Sequence, residues 1–368
     1  MGNLNALRYH GYEFDESVKE NIRMQWHLTV ECDQRCKHCY MFVDEKYKSQ
    51  KNNQLTTEQA FKLIDDFYLL LKKLKVNGNI FLTGGDPILS DNFWDVLEYA
   101  RKYSKILTVD TIMGNSYHID ALVAKKLRNF GITTYQISLD GLKETHDDIR
   151  KSGSFDDALR ALKCLHDAGI DTAVMATVHK DNCEEIIDLY RYLSKLDYIG
   201  AFAFDRMMPI GNAKTVLGDT LLDADKFKDM LFKIFSYEVL ESEHKVLSYK
   251  SCVSLWKPLF YELGLTNPLD KSIKRYYGTC FAGGGSFAVL ADGAILACRR
   301  LDIQAGKYPE ERLEDIFIKA PLFVELRNPT EEASCKCLLQ YNCNGCPAMK
   351  YAINGTLNGK DPDCWRVH

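Results

Sequence analysis

Three cysteines near the start of the chain have the residue type and spacing of a metal or cluster site. Cys32, Cys36 and Cys39 stand in the run CDQRCKHCY, with three and then two residues between them. Three thiolates at this spacing can bind three irons of a cubane cluster and leave the fourth iron open, much as catalytic zinc sites leave one position open. A zinc site with His38 as fourth ligand is the alternative, although His38 lies inside the loop and zinc favours paired CxxC units.

A second group of cysteines lies in the last quarter of the chain. Its seven members are Cys280, Cys298, Cys335, Cys337, Cys343, Cys346 and Cys364. Their density predicts a smaller C-terminal domain that metal, rather than apolar burial, holds together. Two zinc sites are the alternative, because CxC and CxxC units also suit zinc. Of the remaining cysteines, we expect Cys164 and Cys183 to pack in the core, whereas Cys252 either packs or serves the chemistry.

The composition limits where the protein acts and on what. The 368 residues contain 13 cysteines and carry a net charge of −4, with a pI near 6.2. Binding to nucleic acid would need a basic face, and a membrane span would need about 18 consecutive apolar residues. The N-terminus lacks the layout of a signal peptide. We therefore expect a cytoplasmic protein with no nucleic-acid or membrane partner, whose reduced cysteines serve metal or redox chemistry.

Alternating strands and helices must position the first cysteine group. The predicted strands are Trp26–Val30, Asn79–Thr83, Ile106–Thr111, Thr133–Leu139, Asp171–Val178 and Ile199–Phe204. The predicted helices are Thr57–Leu74, Asn92–Tyr103, Ile119–Asn129, Phe155–Asp167 and Glu184–Ser194, with a further amphipathic helix at 222–243. Such alternation predicts a parallel sheet with its active site at the carboxyl ends of the strands. Six strands are too few for a full eight-stranded barrel, which leaves a partial barrel or an open doubly wound sheet.

The CxxxCxxC motif after the first strand, followed by the aromatic Tyr40, strongly resembles the radical S-adenosylmethionine (radical SAM) enzymes. The resemblance spans residues 25–215 and implies an α/β fold, a partial (β/α)6 TIM-like barrel. It also implies that Cys32, Cys36 and Cys39 hold a [4Fe-4S] cluster whose open iron binds SAM. Reductive cleavage of SAM would give a 5′-deoxyadenosyl radical that abstracts hydrogen from the substrate.

Further positions match motifs of the same family and are therefore expected to bind the cofactor. They are Tyr40, Gly84, Gly85, Asp86, Ser138, Asp140, Arg150, Pro209 and Gly211. Asp86 ends a GGDP stretch similar to the GGEP motif that holds the methionyl amino group, and Arg150 stands where many members place an arginine near the SAM carboxylate. Pro209 and Gly211 belong to a stretch beside the adenine. Many relatives end the third strand in TNG, whereas this chain has Ile112–Gly114, followed by Asn115 as the candidate substitute.

The C-terminal cysteines resemble those of the SPASM extension, a small Fe–S-stabilised domain with two auxiliary [4Fe-4S] clusters. By motif order, Cys335, Cys337, Cys343 and Cys364 match the distal cluster, and Cys280, Cys298 and Cys346 match the proximal one. The family more often has CxxC where this chain has the shorter Cys335–Cys337 unit. Three such clusters with one open iron would use eleven thiolates, and the motifs supply ten. Cys252 or a substrate thiolate could complete the proximal cluster, and Cys252 is also a candidate hydrogen donor.

The resemblance implies four regions. They are an N-terminal extension at 1–24, the radical SAM barrel at 25–215, a bridging helical region at 216–275 and the SPASM domain at 276–368. Auxiliary clusters favour net oxidation of the substrate over a redox-neutral rearrangement. An electron donor of the flavodoxin or ferredoxin type would reduce the first cluster.

Peptide maturation is the commonest role of SPASM proteins, so we expect crosslinking, oxidation or epimerisation of a ribosomally made precursor peptide. Only 31 residues precede Cys32, which leaves no room for a leader-binding module. We therefore expect a separate protein or the 215–275 region to recognise the leader. Two alternatives are an epimerase, dehydratase or dehydrogenase of a small molecule such as a sugar or tetrapyrrole, and a non-catalytic iron–sulfur or zinc module.

Overall fold

The computed structural model describes most of the chain. The described residues are 21–42, 44–216, 222–244, 246–248, 254–265, 280–328, 335, 337–339, 343 and 345–366. All motif cysteines lie within these ranges, whereas Cys252 lies outside them. Among the described helices, none combines the length and the apolar character needed to cross a membrane.

Six parallel strands and their connecting helices form the first part of the fold. The strands are β1 (Asn21–Thr29), β2 (Asn77–Gly84), β3 (Leu107–Met113), β4 (Thr134–Ser138), β5 (Asp171–Val178) and β6 (Ala201–Arg206). The helices are α1 (Asp44–Asn52), α2 (Thr57–Leu74), α3 (Phe93–Ala100), α4 (Ala121–Asn129), α5 (Lys143–Ile149), α6 (Ser154–Asp167) and α7 (Ile186–Leu193). Single 3₁₀ turns flank α3 at Pro87–Leu89 and Arg101–Tyr103. Every predicted strand is present, and the bounds of α2 and β5 are those predicted.

The strand order decides between the two architectures that the sequence left open. The strands pair in sequence order, β6-β5-β4-β3-β2-β1, and each neighbouring pair is parallel. A doubly wound sheet would reverse its order at a switch point near the middle. The six strands β1–β6 run through the sheet without such a reversal, so this part of the fold is the predicted partial barrel.

Local sequence explains where α2 begins and which face it buries. The Thr56 hydroxyl accepts a hydrogen bond from the Gln59 backbone N–H (3.3 Å), and the Gln59 side chain accepts one from the Thr56 N–H (2.9 Å). This reciprocal capping box satisfies two backbone donors that the helix leaves unpaired. Leu63, Phe67 and Leu70 then recur on one buried face, which packs the helix against the sheet.

The C-terminal part continues the same sheet. Strand β7 (Ser286–Val289) pairs with β1 in parallel, and β8 (Ala294–Leu296) and β9 (Gln304–Lys307) follow in antiparallel pairing. The remaining helices are α8 (Asn212–Val216), α9 (Ala224–Leu240), α10 (Trp256–Glu262), α11 (Leu313–Lys319), α12 (Pro321–Arg327) and α13 (Pro347–Asn354). The turn between β7 and β8 contains Gly293 at φ +82°, a backbone conformation that glycine adopts without strain.

Apolar burial contributes more to the C-terminal part than we predicted. Phe287 and Phe317 belong to the same buried core as the barrel, and the Phe287 ring lies 5.6 Å from that of Phe67 on α2. The expectation of metal rather than apolar burial therefore needs correction for β7–β9 and α11. Strands β7–β9 were not predicted because a strand of three or four residues is too short to show a clear hydrophobic period.

A buried ion-pair group also ties the end of the chain to the barrel. The guanidinium of Arg206, at the end of β6, donates to both carboxylate oxygens of Asp361 (2.6 and 2.9 Å) and to Asp363 (2.7 Å). All three residues are buried. Charges removed from water are tolerated when they pair this closely, and removing one partner would leave the others uncompensated.

Candidate functional site

The predicted site residues follow the carboxyl ends of the parallel strands. Cys32 follows β1, Asp86 follows β2, Asn115 follows β3 and Asp140 follows β4. Because these strands are parallel and adjacent, their carboxyl ends meet at one edge of the sheet. The sheet thereby gathers side chains that lie more than a hundred residues apart in the sequence.

The glycine pair after β2 packs against the backbone of the cysteine loop. A Cβ atom on Gly84 would lie 2.2 Å from the Thr29 carbonyl oxygen, and one on Gly85 would lie 2.0 Å from that of Glu31. The backbone N–H groups of Gly85 and Asp86 donate to Thr29 (2.9 Å) and Glu31 (2.7 Å). Any larger side chain would separate the two segments, so the glycines fix the start of the cysteine loop relative to β2.

The three N-terminal thiols lie in a buried and electrostatically linked group. Burial raises the pKa of each thiol, and for Cys36 burial together with the charges of Cys39 and Cys32 raises the pKa to about 12. The Arg150 guanidinium, whose Nη1 is 3.7 Å from the Cys36 Sγ, acts in the opposite direction. Thiols in such a place ionise readily only when a bound metal replaces their protons.

The spacing of these thiols fits a cluster better than a single zinc ion. Within the described ranges, only Asp33, Asp86 and His118 bring three possible ligand atoms within 4.8 Å of one another. A zinc ion would hold its thiolates roughly 3.8 Å apart, from Zn–S bonds of about 2.3 Å. In a four-iron cluster each thiolate binds a different iron, which permits wider spacing. The alternative fourth zinc ligand, His38, lies 3.3 Å from Asp140 instead.

Asp86 is a fully buried carboxylate that forms no ion pair with the described residues, although His118 and Asp33 lie near it. Neither carboxylate oxygen has a hydrogen-bond partner of ordinary geometry among the described residues. The backbone N–H groups of Asn115 and Ile88 nevertheless lie near enough to lower the pKa of Asp86. Burial, and then the charge of Asp33, raises its pKa to about 7. A buried carboxylate without a partner is costly, and an ammonium group would complement it. Asp86 therefore fits the amino group of SAM, as the motif implied.

Asp140 holds Arg150 over the cysteine loop. Its buried carboxylate accepts hydrogen bonds from the Arg150 Nε (2.5 Å) and from the Thr177 backbone N–H (2.8 Å). Burial alone would raise the pKa of Asp140, but the charge of Arg150 holds it well below its usual value. The Arg150 Nη1 then lies 3.4 Å from the Gln34 side-chain oxygen. Ser138 lines a small pocket with Gln34 and Arg150.

The predicted residues after β6 contact the cysteine loop through Gly211. At φ +60°, Gly211 lies so close to Tyr40 that a Cβ atom would be 2.8 Å from the Tyr40 carbonyl oxygen. The next backbone N–H, of Asn212, donates to the Cys39 carbonyl at 3.1 Å. Pro209 is half-buried just before this contact. The segment therefore supports the loop that carries Cys39 and Tyr40.

Two residues of the site were missed in the sequence, and one was only a candidate. Asn115 donates to the Cys32 Sγ (3.3 Å) and to Asp33 (2.7 Å), which places it at the cluster loop as the candidate substitute. Gln34 and Arg299 were not anticipated. The Arg299 guanidinium carbon lies 4.7 Å from the centre of the Tyr40 ring. Its position directly after Cys298 was the available signal.

Four of the C-terminal cysteines form one electrostatic group. The sulfurs of Cys335 and Cys337 are 3.5 Å apart. A hydrogen bond from the Cys335 thiol stabilises the Cys337 thiolate and so lowers the pKa of Cys337. Burial, together with the charges of Cys343, Asp361 and Cys335, raises the pKa of Cys364 to about 11. These four are the cysteines that motif order assigned to the distal cluster.

The other three C-terminal cysteines lie in different surroundings. The backbone N–H of Cys346 donates to Asp361 (2.7 Å), the residue that also binds Arg206. Cys298 lies close enough to Tyr40 for its charge to raise the pKa of that phenol, although burial is the larger cause. Cys280 is half-buried against the main core. Cys164 and Cys183 pack on the same core, as predicted.

Comparisons with known proteins identify the first part of the chain. Residues 26–193 match the sequence profile of the radical SAM superfamily. The chain has a radical SAM domain. It is 25% identical to the AdoMet-dependent heme synthase of Oleidesulfovibrio alaskensis over 92% of this chain and 86% of that protein. It is also 25% identical to the mycofactocin maturase MftC of Mycolicibacterium smegmatis over 96% of this chain and 84% of that protein.

The fold agrees with this identification over the whole chain. The crystal structure of Streptococcus suis SuiB bound to precursor peptide SuiA is similar, with a TM-score of 0.73 at 16% sequence identity. The similarity covers 98% of this chain and 79% of SuiB. The predicted fold class, an α/β partial barrel followed by a smaller C-terminal part, is confirmed. The match of residues 26–193 to the radical SAM superfamily implies SAM and a [4Fe-4S] cluster as the cofactors of this domain.

Proposed function

We propose that this radical SAM enzyme modifies a ribosomally made precursor peptide by hydrogen abstraction, with net crosslinking, oxidation or epimerisation. The alignment with mycofactocin maturase MftC supports this, because it extends over 96% of the chain rather than over the barrel alone. The arrangement that carries the proposal is the group of buried Cys36 and half-buried Cys32 and Cys39, which lies beside the buried carboxylate of Asp86.

The residues at the strand ends have distinct parts in this activity. Cys32, Cys36 and Cys39 would hold the cluster, and Asp86 would bind the methionyl ammonium of SAM. When bound, the cluster and SAM supply a 5′-deoxyadenosyl radical that abstracts hydrogen from an unactivated carbon. Asp140 positions Arg150 beside Cys36, and Asn115 donates to Cys32. Hydrogen bonds and charges of this kind set the potential of a cluster and fix its orientation.

The C-terminal cysteines would hold two auxiliary clusters. Cys335, Cys337, Cys343 and Cys364 would bind one, in agreement with their mutual electrostatic effects. Cys280, Cys298 and Cys346 would bind the other, with a substrate thiolate or Cys252 as the remaining ligand. Anaerobically reconstituted protein should then contain about twelve irons. A variant with Cys32, Cys36 and Cys39 all changed to Ala should keep about eight, and loss of all iron in it would contradict separate auxiliary clusters.

If a short peptide is encoded beside the gene, coexpression with that peptide tests the peptide substrate. We expect mass spectrometry of that peptide to show a mass change that requires Cys36 and is unaffected by Cys164→Ala, because Cys164 packs on the core away from the cluster loop. An unmodified peptide from cells in which the enzyme is loaded and cleaves SAM would contradict peptide maturation.

A small-molecule substrate is the second candidate. The alignment with the AdoMet-dependent heme synthase covers 92% of this chain and 86% of that protein, so it too extends beyond the barrel. Tetrapyrrole genes beside this one, and conversion of an iron tetrapyrrole by the purified enzyme, would favour this candidate. We further propose a cytoplasmic location, and reduction of the first cluster by a flavodoxin or ferredoxin.

A further inference from the structure

One buried arginine at the site lacks an acidic partner. Arg299 is 4% exposed, its Nε has no hydrogen-bond partner, and no acid in the described part of the chain forms an ion pair with it. The other arginines in similar surroundings are paired. Arg206 binds Asp361 and Asp363, Arg150 binds Asp140, and Arg327 donates to three backbone carbonyls. An uncompensated buried charge is costly, which indicates that a ligand completes it.

A buried histidine beside Arg299 also lacks partners. His27, on β1, is 1% exposed, and neither ring nitrogen has a hydrogen-bond partner in the described ranges. Burial, and then the charge of Arg299, holds the pKa of His27 well below its usual value. Its strand neighbours Trp26 and Leu28 belong to the apolar core. Because successive side chains alternate across a strand, His27 faces the interior of the barrel.

The fold holds this pair next to the cysteine loop. The Arg299 guanidinium lies over the Tyr40 ring, and its charge reaches Cys39. The following residue, Arg300, is anchored to β6 through an ion pair with Asp205 and a hydrogen bond to the Arg206 carbonyl (2.6 Å). This anchor fixes the backbone at Arg299. The guanidinium is therefore held near the loop that carries Cys39, close enough to His27 for its charge to act on the imidazole.

We propose that Arg299 and His27 bind a carboxylate of the substrate, either a terminal or side-chain carboxylate of the peptide. A guanidinium presents two parallel N–H donors that match a carboxylate, and a neutral imidazole supplies one more donor. The SAM carboxylate has a separate candidate in Arg150. The proposal rests on the proposed function, since it assigns a chemical group to the substrate of the same site.

The competing explanation is that Arg299 only offsets the negative charge of nearby thiolates. Charge compensation needs a cation of any shape, so lysine would serve nearly as well. Bidentate binding of a carboxylate needs the planar fork, which lysine lacks. Arg299→Lys therefore separates the two explanations, and Arg299→Gln removes both the charge and the fork.

Binding of matched acid and neutral probes to the SAM-loaded holoenzyme tests the proposal. The peptide probe is N-acetyl-Ala-Phe, as the free acid and as the C-terminal amide. The tetrapyrrole probe is haem, with its dimethyl ester as the neutral form. Dissociation constants are measured by equilibrium dialysis for the wild type, Arg299→Lys, Arg299→Gln and His27→Gln. Arg312→Gln is the control, because the Arg312 side chain is 77% exposed.

We expect the wild type to bind the acid form of the peptide probe about tenfold more tightly than the amide, as charge-assisted hydrogen bonds imply. This preference should fall below about twofold in both Arg299 variants, fall partly in His27→Gln and persist in Arg312→Gln. An acid preference confined to haem would support the carboxylate site and make its source a tetrapyrrole. Equal binding of acid and neutral forms by the wild type, or an undiminished preference in Arg299→Lys, would overturn the proposal.

The same preparations separate this proposal from the proposed function. Release of 5′-deoxyadenosine by the wild type, measured without either probe, reports on the radical SAM activity alone. A wild type that cleaves SAM but binds acid and neutral probes equally would contradict only the carboxylate site. A wild type that fails to cleave SAM would contradict the proposed function whatever its affinity for the probes.

Discussion

Changing Asp86 to asparagine should have opposite effects on SAM binding and on stability. Asp86→Asn keeps the shape of the side chain and removes its charge. A hydrogen bond between charged groups contributes about 1.5–3 kcal/mol, so the variant should bind SAM roughly 10- to 150-fold more weakly. If Asp86 had only a structural role, Asp86→Asn would lower SAM affinity and protein stability together.

The pH dependence of wild-type SAM binding follows from the same carboxylate. Its pKa of about 7 in the SAM-free protein means that only the ionised fraction can pair with an ammonium. That fraction rises from about 9% at pH 6 to about 76% at pH 7.5, while the protonated fraction of the SAM amino group falls to about two thirds. Wild-type affinity should therefore rise about fivefold across this range, and the affinity of Asp86→Asn should fall slightly.

Stability should change in the other direction. The folded-state pKa of Asp86 is raised above the unfolded value of about 3.9, so the buried charge destabilises the SAM-free protein increasingly as pH rises from about 4 to 7. Removing that charge should stabilise the SAM-free protein at pH 7.5 by a few kcal/mol, of the order of 4.

Two assays read out the opposing effects. Equilibrium dialysis of SAM at pH 6 and 7.5 gives the affinities, and urea midpoints of the anaerobic SAM-free protein give the stabilities. Wild-type affinity that is equal at the two pH values, or an Asp86→Asn variant that is less stable than the wild type at pH 7.5, would refute the reasoning.

Three further perturbations test other contacts. Arg206→Gln leaves Asp361 and Asp363 buried without their cation and should lower the free energy of unfolding in urea by about 3–5 kcal/mol. The control Arg312→Gln changes an exposed side chain and should alter it by no more than about 0.5 kcal/mol. Equal effects of the two substitutions would contradict the buried ion pairs. Gly211→Ala places a methyl group against the Tyr40 backbone and should reduce the amount of iron bound at the first cluster. The control is Gly131→Ala, at a glycine that also has a positive φ but has open space around it, and this variant should keep that iron. Asn115→Ala removes a hydrogen bond to Cys32 and should lower the reduction potential of the first cluster in an EPR titration, and an unchanged potential would contradict that contact.

The sequence predicted the barrel well because its elements are long and locally determined. The bounds of α2 follow from the Thr56 capping box, and β5 follows from an eight-residue run rich in β-branched residues. The placement of Cys32, Asp86 and Asp140 at one sheet edge follows from parallel pairing, which the β–α alternation already implied. Strands β7–β9 were not predicted, because each has at most four residues and depends on pairing with β1 or with its neighbour.

The missed parts of the site depend on contacts between distant segments. Arg299 matters because the fold places it beside Tyr40 and His27, and nothing in its local sequence shows that no acid accompanies it. Arg206, at the end of β6, pairs with Asp361 and Asp363 near the far end of the chain. Such pairings are properties of the tertiary structure and have no signature within a short window.

Release of 5′-deoxyadenosine tests the central claim most directly. Anaerobically reconstituted wild-type protein, given SAM and dithionite, should release 5′-deoxyadenosine and methionine in equal amounts. Cys36→Ala should release neither, and Cys164→Ala, a change of a core cysteine outside the cluster motifs, should behave as the wild type. Wild-type protein that binds zinc in place of iron, or that holds its clusters without cleaving SAM, would contradict the account.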